Sequence, residues 1–196
     1  MVSAIADRVR RARSPALMRH WRKDETGATA VEFGIVAMPF MLLLLGIMWV
    51  SLFYFANFTL ENAVWQAARA IRTGQVQQSQ GAFSGAVTNN DRKQAFKQAL
   101  CAKAPTFFDC SSKAVVIVQS NANFGSITEP NCTSNGNLID QGAAAFDTGG
   151  ASSVVLVTVC YPWDLASKLP FFTFGNLNDG SFLMQASVAF RTEPYN

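Results

Sequence analysis

The chain is poor in the side chains that do chemistry. It has one histidine, His20, among 196 residues. Beyond it no Ser-His or Cys-His pair can form. The zinc-protease pattern HExxH, a Gly-rich phosphate loop and CxxC are all missing. No histidine lies near the cysteines and none of these is closely paired, which argues against zinc and thiol exchange. Asp and Glu number 13, with no close pair on an evident face. A Ser-Lys arrangement is the catalytic option left, and nothing marks one. The composition points away from an enzyme and implies neither metal nor cofactor.

Charge is also missing where it matters most. From Phe33 to Ala56 the run FGIVAMPFMLLLLGIMWVSLFYFA carries none. This is about the ~20 apolar residues that cross a ~30 Å hydrocarbon core as a helix. A secretory signal would have an apolar region of ~7–15 residues and a small-x-small cleavage site; neither fits here. The basic side chains gather ahead of the run. Arg8, Arg10, Arg11, Arg13, Arg19, Arg22 and Lys23 face Asp7, Asp24 and Glu25, leaving about +4, while nine basic and ten acidic residues follow. A basic tail before a span keeps that end cytoplasmic and sends the rest across. It also explains the arginines without nucleic acid.

One carboxylate, Glu32, stands at the head of the run, five residues after Gly27. A charge at the rim of a span is costly without a partner. If the bond after Gly27 were cut, Ala28 would gain an amino group of pKa ~8, mostly charged. Glu32 would lie four residues away, and in lipid the two charges neutralise each other. The same amine could meet Glu32 of a neighbouring copy. On spacing alone, an uncut protein whose Glu32 reaches the headgroups fits equally well.

Periodicity carries the helix past the membrane. Leu60, Ala63, Val64, Ala67 and Ile71 recur at three- and four-residue spacing, and Gly74 is a stop. Its own domain is expected to cover this stripe, a partner helix being the alternative. Trp49 and Tyr54 suit an interfacial belt or simple packing. The expected divisions are a basic cytoplasmic leader (1–27), a long helix (28–74, span about 33–56), a linker (75–90) and an outer domain (91–196). Asp91 is expected to cap a short helix burying Ala95, Phe96, Ala99 and Leu100. Strands are expected at Lys113–Ser120, Ser153–Tyr161 and 182–191, with loop over 121–150. The fold class is α+β: a long transmembrane helix, continuing as an amphipathic one, packed on a small antiparallel sheet in a pilin-like arrangement. Cys101, Cys110, Cys132 and Cys160 all follow the span, where disulfides form. Three pairings are possible, and sequence does not choose. Cys101–Cys110 and Cys132–Cys160 are preferred, as a helix-end staple and a loop-to-strand pin.

GATAVEFGIVAMPFMLLLLGIMWVSLFYF, its continuation ENAVWQAARAIRTGQ, the cysteines of CAKAPTFFDC, CYPW and the closing AFRTEPY together resemble the TadE-like family, minor pseudopilins of Tad (Flp-type) pilus systems. The resemblance implies cleavage between Gly27 and Ala28 by a prepilin peptidase. It makes Glu32 the fifth mature residue, with Phe33 at the family's aromatic position. It implies an inner-membrane protein with its domain outside, working with the major pilin, a second pseudopilin and the secretion platform. A competing reading is a permanently anchored envelope protein that binds a partner through Trp163, Phe171, Phe172 and Phe174.

Overall fold

The computed structural model describes residues 27–105, 108–168 and 175–195. Residues 1–26 of the expected leader (1–27), with its arginines and His20, lie outside them. The chain divides into two units, one up to Leu52 and one from Phe53 onward. Helix α1, Ala28–Arg72, runs through both.

In the first unit nearly every side chain of α1 is exposed, leucines and phenylalanines included. Pro39 sits inside the helix without ending it, as spans tolerate. Among the described residues α1 is the one helix long and apolar enough to cross a membrane.

In the second unit the pattern changes at Ala56. Ala56, Leu60, Ala63, Val64, Ala67, Ala68 and Ile71 form a buried stripe. Four of the seven are alanines, small enough to let a helix backbone come close to its support. The partner is a three-stranded antiparallel sheet of β1 (Val115–Asn121), β4 (Val154–Trp163) and β5 (Phe182–Arg191), with β4 central. Val157 lies opposite Val118 on one side and Val188 on the other. All ten β4 residues are buried, so both faces of the sheet are covered.

The helix lies on the face of Met184, Ala186 and Val188. The Phe53 ring sits 5.5 Å from Trp163 and 5.2 Å from Phe182. At the other end the Glu193 N–H donates to the Arg72 carbonyl at 2.9 Å. The opposite face buries Val115, Ile117, Cys160 and Cys132 against Leu138, Ala145 and Leu183. Its cover is the stretch expected as loop, and it contains a small hairpin, β2 (Thr133–Ser134) and β3 (Asn137–Leu138). Asn135 and Gly136 turn it, both at positive φ, the pairing that two-residue hairpins favour.

Three local details differ from expectation. Strand β4 runs through Pro162, because β1 begins opposite Cys160 and leaves Pro162 paired only with Leu183; no ladder bond to β1 is lost there. Helix α2, Asn89–Cys101, is capped by Thr88; Asp91 is its third residue and closes a capping box. Residues 75–90 bury Val76, Phe83 and Ala86, and the Gln77 amide donates to the Ile71 and Thr148 carbonyls at 3.2 and 3.0 Å.

Disulfides join Cys101, the last residue of α2, to Cys110, the first of α3 (Cys110–Lys113), and Cys132 to Cys160. They span 9 and 28 residues of sequence. Chain entropy gives roughly 3.5 kcal/mol for the longer loop against roughly 2.5–3 for the shorter. Replacing Cys132 and Cys160 together by alanine should therefore lower the urea midpoint more than replacing Cys101 and Cys110.

Gly74 stops α1 at φ 79°, and a Cβ there would meet the Tyr195 ring at 2.5 Å. Gly85 has φ 88° with nothing within 4 Å. Both substitutions to alanine carry the left-handed penalty of about 1–2 kcal/mol. Gly74→Ala should lose about 1–3 kcal/mol more through overpacking, read from urea unfolding of the detergent-solubilised chain.

Candidate functional site at the start of the long helix

Gly27 lies in a short turn immediately before Ala28, the first residue of α1, and both are exposed. A Cβ on Gly27 would meet nothing within 4 Å, so its backbone is open to approach. Glu32 sits four residues beyond Ala28. That spacing puts both on one side of the helix. Glu32 and Phe33 are exposed, Phe33 to 74%. Among the described residues no ion pair is formed by Glu32. What the site can do chemically is limited: present a backbone bond, then bring a new amine and a carboxylate together on one helical side.

Farther along α1 the face opposite the buried stripe carries Tyr54, Phe58 and Trp65, each at least 60% exposed. Tyr54 belongs to the expected aromatic belt. Phe58 and Trp65 were not singled out from the sequence, although positions 54, 58 and 65 fall on one helical line. Between them Glu61 accepts a hydrogen bond from the Asn57 amide at 2.9 Å.

Of the aromatic patch in the competing reading, only Trp163 falls among the described residues. Trp163 is buried to 8% exposure, packed on Phe53. A tryptophan at the end of a central strand, facing a helix, is core. Phe171, Phe172 and Phe174 lie outside the described residues.

Elsewhere the charged groups hold loops in place. Lys93 is buried on α2; its ammonium pairs with Asp140 and donates to the Gly142 carbonyl at 2.9 Å. Lys113 pairs with Asp164 beside the end of β4. Among the described residues no group of three or more His, Cys, Asp or Glu is placed to hold a metal.

Among the described residues the fold thus comprises one candidate membrane helix and a small α+β domain. A sequence model of the family described as TadE-like protein matches residues 27–69. The match begins at Gly27 and takes in Glu32, the whole apolar run and most of the buried stripe. It supports a role connected with Tad pilus machinery, and the apolar helix supports membrane anchoring. No curated protein and no solved structure matches the chain.

The Lys93–Asp140 pair has a pH signature. Burial pushes the Asp140 carboxyl up, but hydrogen bonds from Lys93 and the Gly142 N–H, with the charges of Lys93 and Lys97, hold it below its ordinary 3.8. The folded chain therefore binds this proton less readily than the unfolded one. The stabilisation is whole above the ordinary value and drains as pH falls through the folded carboxyl's range. Asp140→Asn should destabilise the domain by about 1–3 kcal/mol at pH 7. The gap from wild type should narrow in urea titrations run progressively below pH 4.

Proposed function

We propose that this chain is a minor pseudopilin of a Tad-type pilus system. It is made with residues 1–27 in the cytoplasm, anchored in the inner membrane by the first part of α1, and carries its α+β domain outside. A prepilin peptidase cuts between Gly27 and Ala28. The mature protein then takes part in pilus assembly with the major pilin, a second pseudopilin and the secretion platform.

The observation that carries this reading is the open Gly27 backbone one turn ahead of Glu32, at the point where the family match starts. Removing the leader leaves the Ala28 amine, mostly protonated at neutral pH. Each charge alone is disfavoured in lipid; together they offset one another. Between neighbouring copies, the amine of one against Glu32 of the next would set the register of adjacent helices.

Glu32→Gln tests the role of that charge. The neutral amide keeps the shape and hydrogen bonding and cannot pair with an ammonium. Surface pili should be lost or fall sharply, counted by electron microscopy, while the variant stays in the membrane fraction at wild-type level. Normal pili in this variant would overturn the reading and leave a plain tethered domain.

A further inference from the structure

Strand β5 forms one edge of the sheet. Three hydrogen bonds show which way its backbone points. The Thr192 N–H reaches back to Ser153, next to β4, at 2.9 Å. The Leu183 N–H points the other way, to Asn176 Oδ1 at 2.7 Å, and the Glu193 N–H likewise, to the Arg72 carbonyl at 2.9 Å. Backbone groups alternate sides along a strand, so odd-numbered residues face outward. Between the Asn176 and Arg72 caps, the backbones of Gln185, Ser187 and Ala189 face outward with no hydrogen bond among the described residues.

The strand's one charge, Arg191 at its end, donates from Nε to the Ser152 carbonyl at 2.9 Å, back beside β4. From Phe182 to Phe190 there is no charge and no proline, and the register with β4 runs unbroken. Natural edge strands normally carry such features to prevent pairing. The other edge is occupied midway along β1: the Asp147 N–H donates to the Val118 carbonyl at 2.9 Å, and Phe146 bridges Val118.

Beside the open stretch lies a hollow of about 470 Å³ between Trp65, Ala68, Arg69 and Arg72 of α1 and Phe190 and Glu193. No β4 residue lines it, so it opens on the outer side of β5. Arg72 pairs with Glu193 at 3.5 Å, whereas Arg69 has no ion-pair partner among the described residues.

The geometry points to a strand-docking site: the open edge of β5 takes an extended segment of a different exported polypeptide, with an apolar side chain in the hollow between Trp65 and Phe190 and a nearby carboxylate on Arg69. Backbone hydrogen bonds supply the affinity of such additions, and pockets for alternate side chains supply the selectivity. A second copy is the poorer occupant. Its β1 edge is interrupted by Phe146 and Asp147 at Val118, and its β5 would bring Met184, Ala186, Val188 and Phe190 to the helix side, with no carboxylate for Arg69. The inference goes beyond the pilus reading and does not depend on a cut at Gly27.

The test is photo-crosslinking of the full chain in cells, with p-benzoylphenylalanine replacing Ala189 or, separately, Trp65. Both probes should mark the same stretch of one other polypeptide, mapped by mass spectrometry, with Asp or Glu within two residues of a large apolar side chain. Ser187→Pro removes an outward N–H and leaves the β4 ladder intact; it should lower the yield on the order of tenfold. Arg69→Glu, on the exposed side of the helix, should lower it as well, so the proposal stays testable if the proline variant unfolds. Cross-links to the chain's own 182–191 strand, to lipid only or to unrelated polypeptides, or no cross-link at either position, would overturn it.

Discussion

A single carboxylate at the head of an uncharged run of 24 residues, Phe33 to Ala56, sets the terms for this chain. Placing such a charge in a bilayer costs about 2.5–3.5 kcal/mol even on the mildest scales. Glu32 can avoid that cost at the membrane rim, a placement that accounts for the acid but not for the open glycine one turn before it. Both features make sense together if a peptide bond is meant to be cut there. On the proposed reading, the arginines ahead of Gly27 would hold the leader in the cytoplasm, and their removal would exchange a block of positive charge for one amine placed to meet the acid.

The same helix has to satisfy two environments. From Phe33 to Leu52 it carries no charge and its large exposed side chains are apolar around the helix, as suits lipid. From Ala56 onward the buried side narrows to an alanine-rich stripe that lets the sheet approach, and Gly74 and Tyr195 close the end. The sheet in turn needs a second cover, supplied by a polar segment that buries few apolar groups. The Cys132–Cys160 bond ties that segment to β4. A small domain with so thin a layer on one face relies on such a link more than a larger core would.

Much of this was legible in the residues. The runs AVVIVQ and SVVLVTVCY, and the alternation from Phe182, read as strands because β-branched side chains and period two are local signals. Leu60, Val64 and Ile71 gave the covered face of the helix in the same way. What escaped depends on contacts distant in sequence. The Gln-, Ser- and Gly-rich composition of 75–90 reads as linker, yet Val76 and Phe83 are enough to hold it down. Asp91 resembles a cap because an acid near a helix start serves either at the cap or three residues in; only the backbone shows that Thr88 has the first role. Trp163 reads as a surface aromatic beside proline until Phe53, over a hundred positions earlier, is found against it. At the start of α1 the spacing of Gly27 and Glu32 was plain from the outset, while its meaning rests on an event in the cell.

That event can be read directly from the amino terminus of the protein extracted from membranes of cells that hold a prepilin peptidase, with peptidase-deficient cells as the reference. The expected first residue is Ala28 in the former and Met1 in the latter. A chain that begins at Met1 in both would contradict the account at its root.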